Sequence, residues 1–186
     1  MIYRSAEIDS LECYSRRELR NLGIKTLIDL RASSETGRQS PLQKEFNVVH
    51  IPLATGDMEN ILKGIREEKI KSDTVYRMVE QMNRDLIDKY TTEYRQIFDI
   101  LLDKNSYPVV IHCSSGKGRT GIVSALVLAA LGINEDIIME DYRLSNDYFN
   151  IPSASKDAYQ LPARSQEAIT TLFSAREDFL TAAKEE

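Results

Sequence analysis

Residues 112–121, with the sequence HCSSGKGRTG, are the stretch of this chain that decides its fold and its chemistry. A run rich in β-branched side chains, Tyr107–Ile111, precedes the stretch and predicts a short buried strand. The residues that follow, Thr120–Leu131, are apolar almost all round and predict a buried helix that ends at Gly132. We therefore expect a loop between a strand end and a helix start, where backbone N–H groups and the helix dipole favour an anion.

The residue types in this loop suit covalent chemistry on a phosphoryl group. Cys113 is the candidate nucleophile, because the helix N-terminus, the loop amides and Arg119 would all stabilise its thiolate. Arg119 carries a planar guanidinium that binds two phosphoryl oxygens at once. We expect Thr120 to donate a hydrogen bond to Cys113, and His112 to hold the loop in place. The predicted contacts to the phosphoryl group come from Ser114, Ser115, Gly116, Lys117, Gly118 and Thr120.

Three other interpretations of the loop compete with this one. Cys113 can be a small buried core residue, and the glycines can belong to an ordinary strand-to-helix turn. A nucleotide-binding phosphate loop is excluded by its spacing, because Ile111 stands where the first glycine belongs and Gly118 replaces the magnesium-binding Ser/Thr. The joint occurrence of His, Cys, two glycines, Lys, Arg and Thr at fixed offsets favours a phosphate-binding loop over the other two.

The pattern His112-Cys113, five residues, then Arg119-Thr120-Gly121 resembles the signature of the cysteine-dependent protein tyrosine and dual-specificity phosphatases. The part from Gly116 to Gly121 is also similar to the loop of the phosphatase and tensin homologue, a phosphoinositide phosphatase. Further segments resemble a bacterial branch of tyrosine/lipid phosphatases, namely residues 3–6, 22–31 and 141–146. The resemblance implies a phosphatase that works through a cysteinyl-phosphate intermediate. Its implied substrates are phosphotyrosine and, beyond it, phosphoserine/threonine or phosphoinositides.

One departure from that branch concerns the proton donor, since many of its members have Asp directly before the loop arginine, where this chain has Gly118. The acid that protonates the leaving group must then lie elsewhere. We expect it to be Asp57, after the strand predicted at residues 47–53, because related phosphatases carry their acid on a mobile loop after an equivalent strand. A helix N-cap is the alternative role for Asp57. Asp29 is the second candidate, although it could equally order Arg31 or the loop.

Lys117 bears on the choice of substrate. A second cation in the loop suits an additional phosphate on an inositol ring, whereas phosphotyrosine needs none; a solvated surface lysine is the alternative. Two other functional classes stay open at this point. One is a catalytically weak module that binds phosphorylated ligands, and the other is a different thiolate enzyme, such as a sulfurtransferase or an arsenate reductase.

The bulk composition narrows the class of protein. A length of 186 residues suits one domain, so we expect residues 1–186 to form a single phosphatase domain. A net charge of −5 argues against nucleic acid as a partner, and no apolar run is long enough to predict a transmembrane segment. Two cysteines, Cys13 and Cys113, fit a reducing compartment. We expect a cytoplasmic enzyme without metal or cofactor; secretion without a signal peptide and the oligomeric state stay open.

The order of the predicted elements indicates an α/β fold with a mainly parallel central sheet flanked by helices. The other predicted strands lie at residues 25–31 and 47–53. A helical insertion, Met58–Asn105, separates the second strand from the phosphate-loop strand. Further helices are predicted at residues 15–23, 135–146 and 162–183, with a connection at residues 150–161.

Overall fold

The computed structural model describes residues 1–9, 13–37, 40–148 and 158–184. They contain a four-stranded sheet in which every neighbouring pair is parallel. The strands are β1 Ile2–Ser5, β2 Thr26–Asp29, β3 Asn47–His50 and β4 Val109–His112, and their order across the sheet is β1-β4-β2-β3. The predicted α/β fold with a parallel sheet and flanking helices is confirmed.

Helices make up most of the rest of the described chain. Their bounds are α1 Cys13–Asn21, α2 Met58–Arg66, α3 Ser72–Lys89, α4 Thr91–Leu102, α5 Gly118–Ala130, α6 Glu135–Arg143, α7 Ser145–Tyr148, α8 Ala163–Phe173 and α9 Glu177–Lys184. The predicted helical insertion between β3 and β4 is present as α2, α3 and α4. Most of the predicted connection at residues 150–161 lies outside the described residues, and Ala158–Gln160 form a 3-10 turn.

The chain divides into two compact units. The first consists of Met1–Ala54 and Tyr90–Val127 and contains the sheet; the second consists of Thr55–Lys89 and Leu128–Glu186 and is helical in its described part. A single functional domain stays a prediction. Among the described residues, no helix combines the length and the apolar character needed to cross a bilayer.

The strands of the first unit are aligned at their carboxyl ends. Ser5 of β1 and Asp29 of β2 both pair with His112, the last residue of β4. All residues of β4 are buried, because this strand lies between β1 and β2. Cys113 therefore leaves the sheet in the middle of its carboxyl edge, which is where open parallel sheets bind their ligands.

Each unit has its own apolar core. In the first unit, side chains of β2, β4, α1 and the connecting segments form a cluster: Ile8, Ile24, Leu27, Leu42, Phe46 and Val110, with Tyr3, Leu19 and Val48 against it. In the second unit, apolar side chains of α2 and α3 meet those of α8 and α9 in one cluster, which consists of Ile61, Ile65, Val75, Val79, Ala158, Ala168, Ile169, Leu172 and Phe179. Burial of each large apolar side chain of this kind contributes about 1.5–3 kcal/mol.

Two elements differ from the sequence-based expectation. Strand β1 is not predicted, because it is a half-buried edge strand with polar Arg4 and Ser5 in place of an apolar run. The prediction of one helix from Pro162 to about Ala183 is wrong, since residues 174–176 separate α8 from α9. The side-chain amide of Asn146 accepts from the N–H of Ala175 at 2.7 Å and donates to its C=O at 3.0 Å, and so takes up backbone groups that a continuous helix would bond internally.

Candidate active site

The segment predicted to bind phosphate lies where the sequence places it. It begins at Cys113, directly after β4, and runs into the first turn of α5, which starts at Gly118. The N–H of Gly121 donates to the C=O of Lys117 at 2.8 Å and so closes the first turn. We call residues 113–118 the phosphate loop. The free N–H groups at this helix start give the loop a partial positive charge that favours an anion.

Cys113 lies at the floor of the phosphate loop. The residue is 1% exposed, and the N–H of Gly116 donates to its Sγ at 3.2 Å. Gly116 has a φ of +68°, a conformation that glycine adopts without strain and that turns its N–H back towards the sulfur. The structure thus places a hydrogen-bond donor of the loop on the sulfur of the predicted nucleophile.

Arg119 points back from the first turn of α5 and is 7% exposed. Its Nη1 donates to the backbone C=O groups of Leu30 at 3.4 Å and Leu53 at 3.3 Å, and its Nη2 donates to Ser114 Oγ at 3.3 Å. The guanidinium is therefore held between the ends of β2 and β3 and the phosphate loop. This is the predicted position for a side chain that binds phosphoryl oxygens.

Glu35 is a site residue that the sequence analysis misses. Both of its carboxylate oxygens accept from Arg119, with Nη2 to Oε1 at 2.8 Å, and Oε1 also accepts from Ser114 Oγ at 2.6 Å. The N–H of Ala32 donates to Oε2 at 2.8 Å. Partial burial raises the pKa of Glu35, but the hydrogen bonds from Arg119 and Ser114 outweigh it and lower the pKa to about 2.

The place of Glu35 follows from the order of the strands, which the sequence alone does not show. Glu35 lies in the polar segment directly after β2, and β2 is the neighbour of the strand that carries Cys113. Carboxyl ends of neighbouring parallel strands meet at one edge of the sheet, so a charged residue just past β2 has to lie near the phosphate loop. The carboxylate fixes the plane of the Arg119 guanidinium, because it binds both terminal nitrogens at once.

Lys117 is not the solvated surface lysine that the sequence leaves as an alternative. It is 6% exposed, and burial lowers its pKa to about 7 against the opposing charge of Cys113. The amine of Lys117 therefore loses its positive charge as the pH rises through about 7. Its proposed contact with a phosphorylated substrate stays a prediction.

His112 and Thr120 are predicted to support the loop through hydrogen bonds. The C=O of His112 accepts from the N–H of Leu30 at 2.9 Å, which joins β4 to the residue after β2 and not to the loop, and the buried Nδ1 of its ring has no hydrogen-bond partner among the described residues. Its ring is buried, with Nδ1 3.9 Å from Asp29 Oδ1, and burial lowers its pKa. The hydroxyl of Thr120 is fully buried but makes no hydrogen bond to Cys113 or to any other described residue.

Asp29 is fully engaged with Arg31. Its Oδ1 accepts from the backbone N–H of Arg31 at 3.0 Å and from Nε at 2.9 Å, while Oδ2 accepts from Nη2 at 2.6 Å. Burial raises the pKa of Asp29, but the hydrogen bonds from Arg31 outweigh it and the pKa is lowered. Such a carboxylate has no proton to give at neutral pH. The geometry therefore favours the ordering role over the acid role for Asp29.

Asp57 caps the N-terminus of α2 in the second unit. Its Oδ1 accepts from the N–H of Asn60 at 3.0 Å, and its Oδ2 accepts from Asn60 Nδ2 at 2.6 Å. The alternative role named for this residue, a helix N-cap, is thus present. The side chain is exposed to solvent, and the acid role of Asp57 stays a prediction.

Comparison with known proteins decides the family. A sequence model described as the tyrosine phosphatase family matches residues 1–186. The chain belongs to the tyrosine phosphatase family. The prediction of an enzyme that hydrolyses phosphate esters is thereby confirmed at the level of the family.

Individual relatives of this phosphatase carry names that agree with the family. It is 32% identical over 194 aligned positions to the triple specificity protein phosphatase PtpB of Mycobacterium tuberculosis. This alignment covers 92% of this chain and 67% of the relative. It is 25% identical to a putative tyrosine-protein phosphatase of Cupriavidus necator and 26% identical to a tyrosine-protein phosphatase of Nostoc commune. Each of these two matches covers 78% of this chain, and the chain spans about half of their lengths, 53% and 48%.

A solved structure also aligns with this phosphatase. The crystal structure of Pseudomonas aeruginosa TpbA in complex with pTyr covers 92% of this chain and 85% of its own, with 16% identity and a TM-score of 0.42. At that score the likeness adds nothing about the site or the substrate.

The position that distinguishes this phosphatase from the branch it resembles is Gly118. Apart from Gly118 itself, its two chain neighbours and the nearby backbone of its own helix, no described atom lies within 4 Å of the place where a Cβ on Gly118 would stand, and the residue does not have a positive φ. A side chain at this position would therefore meet neither a steric obstacle nor backbone strain. Among the described residues, no group of His, Cys, Asp and Glu side chains is arranged to hold a metal ion.

Proposed function

We propose that this phosphatase hydrolyses phosphate monoesters, phosphotyrosine among them, by attack of the Cys113 thiolate on phosphorus. The observation that carries the proposal is that Cys113 at the start of the phosphate loop and Arg119 in the first turn of α5 lie at one helix N-terminus, with the Gly116 N–H on the sulfur at 3.2 Å. A buried thiolate supported by donors is a competent nucleophile. The buried guanidinium of Arg119 is placed to bind the phosphoryl oxygens as their charge shifts in the transition state.

The reaction proceeds in two displacements. In the first, a lone pair of Cys113 Sγ forms the S–P bond, the P–O bond to the leaving group breaks, and an acid gives that oxygen a proton. In the second, a water oxygen attacks phosphorus, a base takes its proton, and the S–P bond breaks to return the thiolate and free phosphate. Arg119 and the N–H groups of the phosphate loop hold the phosphoryl oxygens in both steps, and the side chain of Ser114 lies in the same loop.

Asp57 is the proposed acid of the first step and base of the second. Its support is its place after β3, its solvent-exposed carboxylate, and the engagement of Asp29 with Arg31. The cap that Asp57 makes at α2 consists of two hydrogen bonds to Asn60 on the protein surface, which cost little to exchange for bonds to water.

The substrate class is proposed from the names of the relatives and from Lys117. Two relatives are named tyrosine-protein phosphatases and one a triple specificity protein phosphatase. Phosphotyrosine is thus the first substrate to expect, with phosphoserine/threonine and phosphoinositides as the wider range. The buried amine of Lys117 would add a second charge for a substrate with more than one phosphate. A cytoplasmic location stays a prediction that rests on the low cysteine content.

The first experiment tests the nucleophile. Hydrolysis of a small aryl phosphate in excess EDTA is compared between the wild type, Cys113→Ser and Cys13→Ser, the last being a control that removes the other cysteine of the chain. We expect full activity in the control and none in Cys113→Ser. Activity of Cys113→Ser, or dependence of the wild type on added metal, would overturn the mechanism.

The second experiment tests the acid. Asp57→Asn should slow hydrolysis of aryl phosphates with poor leaving groups far more than of those with good ones, because only poor leaving groups need the proton. Gly118→Asp supplies the carboxylate that many members of the resembled branch have before the loop arginine, and the space around Gly118 admits it. The double variant should therefore regain part of the lost rate. Equal slowing of both kinds of substrate by Asp57→Asn would assign the acid to another residue.

The third experiment assigns the substrate class. Phosphotyrosine peptides, phosphoserine peptides and phosphoinositides are assayed in parallel, each with Cys113→Ser as the blank. We expect turnover of the phosphotyrosine peptides. Tight binding of them with a burst of product and no further turnover would instead establish a ligand-binding module.

A further inference from the structure

The N-terminal chain runs along the outside of the phosphate loop. Beyond the last paired residue of β1, the N–H of Glu7 donates to the C=O of Ser114 at 3.2 Å. Within β1, the guanidinium Nη2 of Arg4 donates to the C=O of Gly116 at 3.3 Å. The contact is close, because a Cβ on Gly116 would lie 2.7 Å from backbone atoms of Ser5 and Ala6.

These contacts fix two peptide planes of the loop. In a trans peptide the C=O and the following N–H point in opposite directions. A carbonyl of Gly116 that is held by Arg4 therefore turns the N–H of Lys117 away from the N-terminal chain. In the same way, the carbonyl of Ser114 that is held by Glu7 turns the N–H of Ser115 away from it.

The side of the loop away from the N-terminal chain is the side that faces an anion. The N–H of Gly116 points to Cys113 Sγ at 3.2 Å, so the loop already directs one donor towards the sulfur that would attack phosphorus. The N–H groups of Ser115 and Lys117 join it on that side only while the preceding carbonyls, those of Ser114 and Gly116, point towards the N-terminal chain. Successive N–H groups arranged in this manner form an anion-binding concavity.

We propose that Arg4 is a positioning residue of the phosphate loop, which acts by holding the Gly116 carbonyl outward so that the Lys117 N–H faces the phosphoryl group. The role rests on the proposed function of the loop. Arg4 is suited to it because an arginine donor is always charged, and a charged donor binds a carbonyl more strongly than a neutral one. The segment Tyr3–Ala6, which the sequence singles out and to which the mechanism assigns nothing, thereby has a function at the site.

The test compares Arg4→Met with Arg16→Met. The control residue also donates from a guanidinium to a backbone carbonyl, from Nη2 to Asp9 at 3.4 Å, but that carbonyl does not belong to the phosphate loop. The measurements are the affinity for inorganic phosphate by calorimetry, kcat/KM for an aryl phosphate, and the midpoint of thermal unfolding. The rate of Cys113 alkylation at fixed pH is followed by mass spectrometry of its peptide, because Cys13 also carries a thiol.

We expect Arg4→Met to weaken phosphate binding and to lower kcat/KM about 10-fold each, and to slow Cys113 alkylation several-fold, with no more loss of thermal stability than Arg16→Met. Arg4→Lys, which keeps the charge and a donor, should recover part of the phosphate affinity. Equal phosphate affinity and kcat/KM in Arg4→Met and Arg16→Met would overturn the proposal. If the wild type binds phosphate but does not turn over the aryl phosphate, only the proposed function is refuted, because the phosphate affinities of the variants still test the role of Arg4. If the wild type binds no phosphate, the proposed function and the role of Arg4 are both refuted.

Discussion

Replacement of Glu35 by Gln tests whether the ion pair between Glu35 and Arg119 only stabilises the fold or also supports the function of the phosphate loop. The substitution keeps the size of the side chain and one oxygen acceptor, but removes the charge that binds both terminal nitrogens of Arg119. The pKa of Glu35 falls from 4.5 to about 2 in the folded protein. At about 1.4 kcal/mol per pH unit this corresponds to at most about 3.5 kcal/mol of stability.

The expected loss is smaller, because the side chain of Glu35 is 33% exposed and solvent screens the pair. We expect Glu35→Gln to lower the free energy of unfolding by about 1–2 kcal/mol at pH 7, with a fall in the thermal midpoint of about 2–8 °C. A carboxylate whose pKa is lowered by folding stabilises the protein above its unfolded pKa and loses that contribution as the pH falls towards its folded pKa. The difference between wild type and variant should therefore shrink by roughly half between pH 6 and pH 3.

Activity distinguishes the two roles of Glu35. A guanidinium no longer held in its plane should bind the transition state less well, so we expect kcat/KM for an aryl phosphate to fall on the order of 10- to 100-fold. The control is Glu45→Gln, which breaks the 2.7 Å pair with Arg20, at a carboxylate of similar exposure in the same unit. The free energy of unfolding of the wild type and of each variant is measured by chemical denaturation at pH 7, pH 6 and pH 3. An unchanged or raised kcat/KM in Glu35→Gln, or a stability difference that does not narrow at pH 3, would refute the reasoning.

Three further substitutions test other parts of the structure. Tyr90→Phe removes the hydroxyl that donates to the C=O of Ala54 at 2.9 Å and accepts from its N–H at 3.0 Å, and should cost about 1–2 kcal/mol in chemical denaturation; no measurable loss would contradict the role of this contact. Asn146→Ala removes both bonds to Ala175 and should cost about 1–3 kcal/mol while kcat/KM stays at the wild-type value; a changed kcat/KM would be the unexpected result. Lys117 has a pKa of about 7 and is charged below it, so inhibition by inorganic sulfate, which stays a dianion throughout this range, should weaken as the pH rises through about 7. Inhibition of Lys117→Met should lack that step, and a step that persists would assign it to another group.

The parts of the fold that the sequence predicts are those with continuous apolar runs or stripes. Residues 26–29 and 109–112 are fully buried strands, and their apolar runs predict them directly. Strand β1 lies at the edge of the sheet with one neighbouring strand, so it is only half buried and has no apolar run. Its pairing with β4 also depends on residues more than a hundred positions away. The break between α8 and α9 is likewise accompanied by a long-range contact, since the side chain of Asn146 bonds to the backbone of Ala175 between the two helices.

In the site, too, local features can be predicted from the sequence and long-range contacts cannot. The spacing of Cys113 and Arg119 predicts their meeting, because the loop and the first turn of a helix bring them together locally. Glu35 reaches Arg119 only through the order of the strands, which no local pattern encodes. The sequence leaves open whether Lys117 faces a substrate or the solvent, because the burial of this residue depends on the packing around the loop.

The central claim is that a phosphoryl group passes through the sulfur of Cys113. Its most direct test is mass spectrometry of the enzyme quenched rapidly during turnover of an aryl phosphate, with peptide mapping of the modified residue. We predict one added phosphoryl group on the peptide that contains Cys113, present in Cys13→Ser and absent in Cys113→Ser. Steady turnover without any phosphoenzyme, or a phosphoryl group on another residue, would contradict the account.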